Sequence, residues 1–557
     1  MNKEHSKVVL YPSYIRDKNL RNQEIHLLMQ LSKIPFHKIS ALAARDVFYQ
    51  ENYNQLSPFI AFEPTLEGLE KAIAERKKYQ VNRTLLTDVL VSHYERVTMS
   101  EKQYHHLYLL NEENTYTIVT AHQPSLLGGP AYYFYKIYSV LNLCKQLSVK
   151  YPEQNFVPVF ISGSEDHDFD EISTVKIFGK SITWETPQTG ATGRFNIEGL
   201  EEIVAQFSQI LGTSPKATRI ATILKEALDA SKTYNDFVFH WVNAFFKEDG
   251  LLFLNMDDPK LKQAFVPLME RELLEKISSP IVMETQSQLL EKGFRPQAFA
   301  RDINLFYMMG GQRERITHDH DGYKINHTGL CFSESEMLHL LHTHPERFSP
   351  NVVMRPLYQE TILPNLAYIG GGGELAYWME RKAQFEAFGV FFPTLIRRNS
   401  VMIIPQSLQK TMEKLSVTEA DILLDDELLI NQYLQKSGQE DFHLTKESQY
   451  ISDIFESIAV RAKTIDPTLV QTVIGESHKT LKVLEGIETR FKRSIKQKEE
   501  TQINQLKALK SKLFPNNGLQ ERSDSYLQYY IQEDIDLHLW MLQNLNPLEP
   551  DFLFLYL

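Results

Sequence analysis

A chain of 557 residues that is 43% hydrophobic and 11% aromatic can bury a large core and is too long for one simple domain. Its formal net charge of -12 sets it against phosphate backbones and anionic lipid surfaces, so nucleic acid and membranes are excluded as default partners. The two cysteines, Cys144 and Cys331, stand far apart without CxxC or Cys/His spacing, which excludes a disulfide framework and a structural zinc site and fits a reducing, cytoplasmic setting.

In chain order, MNKEHSKVVLYPSY lacks the apolar stretch of a signal peptide, and no run approaches the roughly 18 apolar residues of a spanning helix. Residues 1–112 read as a helical region packed on the core, carried by spacings such as those of LEGLEKAIAERKKYQVNRTLLTDVLVSHYERV. From 113 to 180 the texture changes. The β-branched run TYTIVT meets the loop AHQPSLLGG, Pro130 opens the amphipathic PAYYFYKIYSVLNLCKQLSV, and FVPVFIS follows as a second buried strand. Strand, crossover helix, strand predicts a parallel sheet of the α/β class.

Residues 181–349 mix strand-like KSITWE and GLLFLNM with helical ATILKEALDA and read as an inserted connecting region of mixed α/β character. The first texture returns over 350–445, where LPNLAYI, four glycines at 370–373, the helical ELAYWMERKAQFEAFG and VFFPTLI form the second half of the core. Over 446–520 the chain is Lys/Glu/Gln-rich, with Leu484, Ile487, Phe491, Ile495, Ile503, Leu506, Leu509 and Leu513 at helical steps. That predicts a helical hairpin or coiled coil, ended by FPNNG and followed by a C-terminal segment, 521–557.

Three loops carry candidate chemistry. In HQPSLLGGP, Gly128 and Gly129 let backbone approach a ligand at the start of a helix, where unpaired amides favour anions, and Lys136 shares a helix face with Tyr132 one turn on. A tight turn leading into an aromatic core helix explains the same residues. In SGSEDHDFDEI, the carboxylates Glu165, Asp166, Asp168, Asp170 and Glu171 surround His167 at the end of a parallel strand, where open α/β sheets bind ligands. Such a group suits acid/base catalysis or amine binding; a solvated acidic turn is the plain alternative. A metal phosphohydrolase reading of His167-Asp168 needs further histidine ligands, and His318, His320, His339, His342 and His344 show no fixed metal spacing. In GGGGELAYW, Gly371 and Gly373 loosen the backbone before Glu374, with Tyr377 and Trp378 near to stack on a flat ring.

Together, TAHQPSLLGGPAYYFYK, PVFISGSEDHDFDEI, PERFSPNVVMRPLYQETILPNLAYIGGGGELAYW and LFPNNGLQER resemble the bacillithiol biosynthesis cysteine-adding enzymes, the cysteine ligase BshC family. The family commonly has Gly-Gln-Gln-Pro-Gly where this chain has Ala121-His122-Gln123-Pro124-Ser125. The resemblance implies a Rossmann-like core akin to class I aminoacyl-tRNA synthetases, with connecting insertions and an antiparallel coiled coil that supports a homodimer. It implies a ligase that joins the carboxyl of L-cysteine to the amine of glucosaminyl malate, with ATP as energy source; of the metal reading of the acidic loop, only Mg²⁺ accompanying the nucleotide is kept.

On that footing, His122, Gln123, Gly128, Gly129, Lys136, Gly371, Gly373, Glu374 and Tyr377 are the expected nucleotide and substrate contacts. Glu165, Asp166, His167 and Asp168 are the expected catalytic group, with His167 or Asp168 as base toward the attacking amine. Arg355, or the pair Arg397-Arg398, would receive the malate carboxylates. Asn517, Gly518 and Arg522 at the end of the coil would border a second nucleotide pocket. A non-catalytic coiled-coil interaction protein is the competing reading.

Overall fold

The computed structural model describes residues 29–436, 443–532 and 535–557. The stretch MNKEHSKVVLYPSY, and with it the start of the expected N-terminal helical region, lies outside them. The chain divides into two compact units, one formed by residues up to 403 with 519–555 and 557, the other by 404–518 with 556.

In the first unit TYTIVTAH forms β1 (Thr115–His122), buried along its whole length except at His122. A strand buried on both faces belongs inside a parallel sheet covered by helices. It pairs in parallel with β2 (Asn155–Ser162), and β2 with β3 (Leu252–Asn255). On its other edge β1 pairs with β4 (Asn365–Gly370), and β4 with β5 (Thr394–Arg397). The spatial order is therefore 5-4-1-2-3. The chain builds outward from β1 on one side, then returns to build outward on the other. Loops leaving the carboxyl ends of β1 and β4 diverge, and a crevice opens where the order reverses.

This is the expected Rossmann-like α/β core, with one correction. β3 comes from GLLFLNM, inside the stretch read as an insertion, so residues 181–349 are not wholly outside the sheet. The strand was legible, but its pairing with β2 is a long-range contact that no local pattern reveals. A second correction concerns the N-terminal region: residues 30–35 form a strand, joined to another near the C-terminus, before four helices between 44 and 109. Downstream of β3, an antiparallel sheet is built from Leu305–Met309, Gln312–Asp319, Gly322–Ile325, Leu330–Phe332 and Phe348–Pro350.

The crossover helix α1 (Tyr132–Lys150) is buried nearly all round. Phe134 stacks on Tyr526 with ring centroids 4.6 Å apart, and the Tyr138 hydroxyl lies 2.7 Å from His538 Nδ1. Gly128, at φ +81°, serves this packing: a Cβ there would come within 2.7 Å of the Phe134 ring and 3.1 Å of Trp241. α2 (Gly372–Met379) starts directly after β4.

The second unit holds α3 (Thr445–Ile465), α4 (Leu469–Lys498) and α5 (Glu500–Leu513). α3 and α4 form a hairpin, and the backbone N–H and hydroxyl of Thr468 both donate to Asp466 Oδ1 in the turn. The apolar repeat splits in two. Ile495, Ile503, Leu506, Leu509 and Leu513 are buried, whereas Phe491 is exposed, as are Tyr450, Ile454 and Ile458, spaced four apart on α3. Among the described residues no helix is long and apolar enough to cross a membrane.

Candidate functional site

The carboxyl ends of the core strands open into a cleft of about 670 Å³. At the reversal of strand order stands Lys136, which reaches across from α1. Its Nζ donates to Ala121 O at the end of β1 (2.8 Å) and lies 2.5 Å from Glu374 Oε2 in the first turn of α2. One buried ammonium thus joins the ends of β1 and β4. Glu374 also accepts the Gly371 N–H at 2.8 Å and the Tyr368 hydroxyl at 2.7 Å, so the glycine loop, the helix start and the sheet share one carboxylate. Burial pulls Lys136 below its ordinary range, against the pull of Glu374. Burial would raise Glu374, but Lys136 and the Gly371 N–H hold it below the usual carboxylate range.

His122 closes β1 beside this pair. Its Nδ1 faces the Gln123 carbonyl oxygen at 2.9 Å and its Nε2 faces the Tyr132 hydroxyl at 3.1 Å. A carbonyl only accepts, so Nδ1 carries the proton in that bond and Nε2 accepts from Tyr132. Burial, with Lys136 nearby, lowers the His122 pKa to about 4.

The acidic loop is held rather than free. Gln123 Nε2 donates to Asp166 Oδ2 at 2.9 Å and to Glu171 Oε2 at 3.1 Å. Glu165 is paired with buried Lys262 at 2.5 Å, which also reaches Asp257 Oδ1 at 3.1 Å, and Asp257 takes two bonds from Arg194 at 2.6 and 2.7 Å. Burial pushes Glu165 above its ordinary range, whereas Lys262 and Arg194 overcome the same effect at Asp257 and hold it low. Glu165 therefore anchors the loop.

On the opposite side, Arg398 donates from Nη2 to Glu521 Oε1 at 2.7 Å, and its guanidinium lies 5.1 Å from the Tyr132 ring centroid. Glu521 also accepts from the Ser400 hydroxyl and Val401 N–H, and the Gln520 side chain bonds both the N–H and the carbonyl of Ile403. That pairing is what the LQER stretch does in the first unit. Arg355 donates to Gln359 Oε1 at 3.2 Å and to the Tyr377 hydroxyl at 3.4 Å.

Of the expected site residues, His122, Gln123, Lys136, Glu165, Asp166, His167, Arg355, Gly371, Gly373, Glu374, Tyr377 and Arg522 line this cleft. Gly128 and Gly129 do not: their positive φ values shape the turn, and the Ala131 N–H at the helix start is given to Asp524 O at 2.8 Å, which removes the expected anion site there. Asp168 is exposed and outside the lining, and its carboxylate makes no hydrogen bond or ion pair among the described residues. Asn517 and Gly518 belong to the second unit. Arg397 turns away from Arg398 toward Asp46 (3.4 Å) and lies over the Phe36 ring, because successive residues leaving a strand point to opposite sides. Trp378 is fully buried against Tyr368 and offers no stacking surface.

Sequence reasoning missed Arg301, Arg313 and Arg315, and the role of Tyr368. Arg313 and Arg315 stand two apart in QRERIT, the period that puts two side chains on one face of a strand, but their approach to the acidic loop is tertiary. The cleft thus has seven Lys/Arg side chains against four carboxylates. Among the described residues the one group of three metal-ligating side chains is Asp319, His320 and Asp321, on an exposed turn where Lys324 pairs with both aspartates. The histidines that a phosphohydrolase would need, His318, His320, His339, His342 and His344, do not line the cleft.

The family described as "Bacillithiol biosynthesis BshC, N-terminal Rossmann-like domain" matches residues 29–399, and its "C-terminal coiled-coil domain" matches 401–557. The chain belongs to the bacillithiol biosynthesis BshC family. Proteins named "Putative cysteine ligase BshC" are similar over nearly the whole chain: that of Flavobacterium johnsoniae is 37% identical over 90% of this chain and 95% of its own. Those of Cytophaga hutchinsonii and Bacillus cereus strain G9842 are 36% and 27% identical, covering 90% and 89% of this chain and 94% and 95% of theirs. A product-bound parasite tRNA synthetase covers 89% of this chain and 100% of its own at 10% identity and TM-score 0.21, too low to bear on fold or chemistry. The BshC family membership makes the protein a carbon–nitrogen bond-forming ligase of bacillithiol biosynthesis and retires the non-catalytic reading.

The His122 environment has a measurable consequence. Its folded pKa of about 4 lies below the unfolded value, so the unfolded chain binds the proton first and acid destabilises the fold. Stability is expected to fall as pH drops through about 6.5 toward about 4 and then level; buried His106, also near 4, acts in the same direction. His122→Gln should remove the His122 share, about 2 kcal/mol after allowance for solvent in the cleft, in urea unfolding compared across that range. A wild-type-to-variant difference independent of pH contradicts the assignment.

Proposed function

We propose that the cleft joins the carboxyl of L-cysteine to the amine of glucosaminyl malate through an amide bond, with nucleotide-dependent activation of the carboxylate. The observation that carries this reading is the charge of the cleft: a protein of net charge -12 gathers a majority of cations at the reversal of strand order. Three anionic groups must meet there, a phosphate chain, the cysteine carboxylate and malate.

The residues present fit a nucleotide. Arg398 Nε is buried without a hydrogen-bond partner beside Gly371, where a Cβ would stand 3.8 Å from it, and Gly371 and Gly373 carry no side chain to bar a ligand from it. Arg398, Arg522 and this loop would hold the phosphates. When bound, the nucleotide supplies the group that gives the cysteine carboxylate its leaving group. Lys136 sets positive charge at the same point, and Arg355 with Tyr377 offers donors for malate. Mg²⁺ would depend mainly on the phosphates for ligands, since Glu165 and Glu374 are taken by Lys262 and Lys136 and Asp166 is assigned to the amine.

The glucosamine amine arrives as an ammonium. Asp166, oriented by Gln123, faces the cleft to bind it and to take its proton before attack. Purified protein given L-cysteine, glucosaminyl malate and ATP should form the amide, read by mass spectrometry together with AMP or ADP. Asp166→Asn should lower turnover by about 100-fold or more with folding intact, while Asp168→Asn keeps wild-type turnover. Equal activity in the wild type and Asp166→Asn contradicts the role of Asp166; no amide from the wild type contradicts the function.

The homodimer belongs to the same proposal. Tyr450, Ile454 and Ile458 form an apolar stripe on α3 that is 67%, 57% and 43% exposed, and a second hairpin of the same kind would cover it. Light scattering should give a dimer for the wild type and a monomer for the double variant Ile454→Glu, Ile458→Glu. A monomeric wild type contradicts the assignment.

A further inference from the structure

His167 lies where two parts of the first unit meet. It leaves the acidic loop after β2 and faces Arg313, which comes from the antiparallel sheet: Arg313 Nη1 is 3.0 Å from His167 Nδ1. The rest of the guanidinium is committed. Its Nε donates to Ser349 Oγ at 3.0 Å, its Nη2 donates to Pro350 O at 3.2 Å, and its carbon lies 3.9 Å from the Phe306 ring centroid. The same Phe306 ring meets the imidazole, with centroids 5.7 Å apart. Arg313 is therefore a fixed part, packed on one side and hydrogen-bonded along its edge.

A guanidinium has donors and no acceptor. The nitrogen that faces it must present a lone pair, so Nδ1 is unprotonated and the one proton of the neutral ring sits on Nε2. A second proton would place an N–H against an N–H and a cation against a cation. Several charges bear on the ring. Asp166, with Oδ1 at 3.8 Å from Nδ1, and Asp168 favour the protonated form, whereas burial, Arg313 and Arg315 oppose it. The ring keeps about half its surface in solvent; the covered half and Arg313 prevail, and the imidazole is held below its ordinary range.

We infer that Arg313 is a positioning residue that holds His167 as the neutral Nε2–H tautomer, so that His167 serves the reaction as a hydrogen-bond donor to the reacting carbonyl oxygen and not as a base. The second half of this statement rests on the proposed amide-forming role of the cleft. A ring with Nδ1 engaged and Nε2 protonated has no free lone pair for the ammonium proton. Donation from Nε2–H asks for none: it stabilises negative charge on the carbonyl oxygen as the amine nitrogen attacks. In that step the C–N bond forms and the C–O bond to the leaving group breaks with its electron pair. One proton of the ammonium passes to the Asp166 carboxylate, and the second leaves with the departing phosphate oxygen.

The test reads the tautomer directly. In ¹⁵N-histidine-labelled protein, with the His167 signals assigned by their loss in His167→Gln, the wild type should show the Nε2–H pattern at neutral pH. Arg313→Met should move the His167 titration upward and mix the tautomers. Kinetics supply the second readout, because a glutamine amide can place an N–H near the Nε2–H position but cannot act as a base. His167→Ala should lose about 100-fold or more in kcat, and His167→Gln should recover a large part of it with an unshifted pH profile. Arg313→Met should lower kcat, leave the KM for cysteine unchanged and shift the pH profile upward. An Nδ1–H ring or an imidazolium in the neutral wild type overturns the inference, as does a His167→Gln variant no better than His167→Ala. Absence of amide from wild-type protein that retains the Nε2–H ring removes the donor role and the proposed reaction of the cleft together, and leaves the effect of Arg313 on the ring standing.

Discussion

The first unit turns on one buried ion pair. Lys136 on α1 binds the end of β1 through Ala121 O and the start of α2 through Glu374, at the point where the strand order reverses. Taking two charges out of water is costly, and the pair repays that only when every remaining donor and acceptor is satisfied. Here the carboxylate also receives the Tyr368 hydroxyl and the Gly371 N–H, so the ion pair, the glycine loop and the helix cap form one network. Losing Glu374 would strand the buried Lys136 charge, at a cost of about 3 to 5 kcal/mol. The ends of β1 and β4 that border the crevice are therefore tied together by this one network.

Around that network the cleft is electrostatically divided. On the side of β5 Arg398 is fixed by Glu521, while on the other side the carboxylates of the loop after β2 are fixed by Gln123 and Lys262 and Arg313 faces His167 of the same loop. Lys136, Glu165 and Arg398 are each oriented by an oppositely charged partner, which limits reorganisation when substrates arrive and favours a reaction that must neutralise several anions while handling one ammonium. The acidic loop in this account is a set of carboxylates with separate tasks: Glu165 anchors, Asp166 faces the amine, and Asp168 remains in solvent.

Local patterning made much of this legible. β-Branched runs, a helix between them and glycine-rich turns announced the parallel core, and the placement of EDHD at a strand end pointed to the cleft. What pattern could not give was three-dimensional. Gly128 and Gly129 match an anion loop in sequence, yet their freedom is spent on a turn in which Gly128 clears Phe134 and Trp241 and Gly129 clears Ser125. Arg397 and Arg398 are neighbours in sequence and diverge in space. Arg313 comes from a sheet that the sequence marks only as an insertion, and β3 pairs across a long loop. In each case the deciding contact is remote along the chain.

The most direct measurement is a crystal structure of the protein with glucosaminyl malate bound. The account predicts the sugar amine within hydrogen-bonding distance of Asp166 and the malate carboxylates beside Arg355 and the cationic side of the cleft. A ligand seated outside the cleft, or one whose amine points away from the acidic loop, would contradict it.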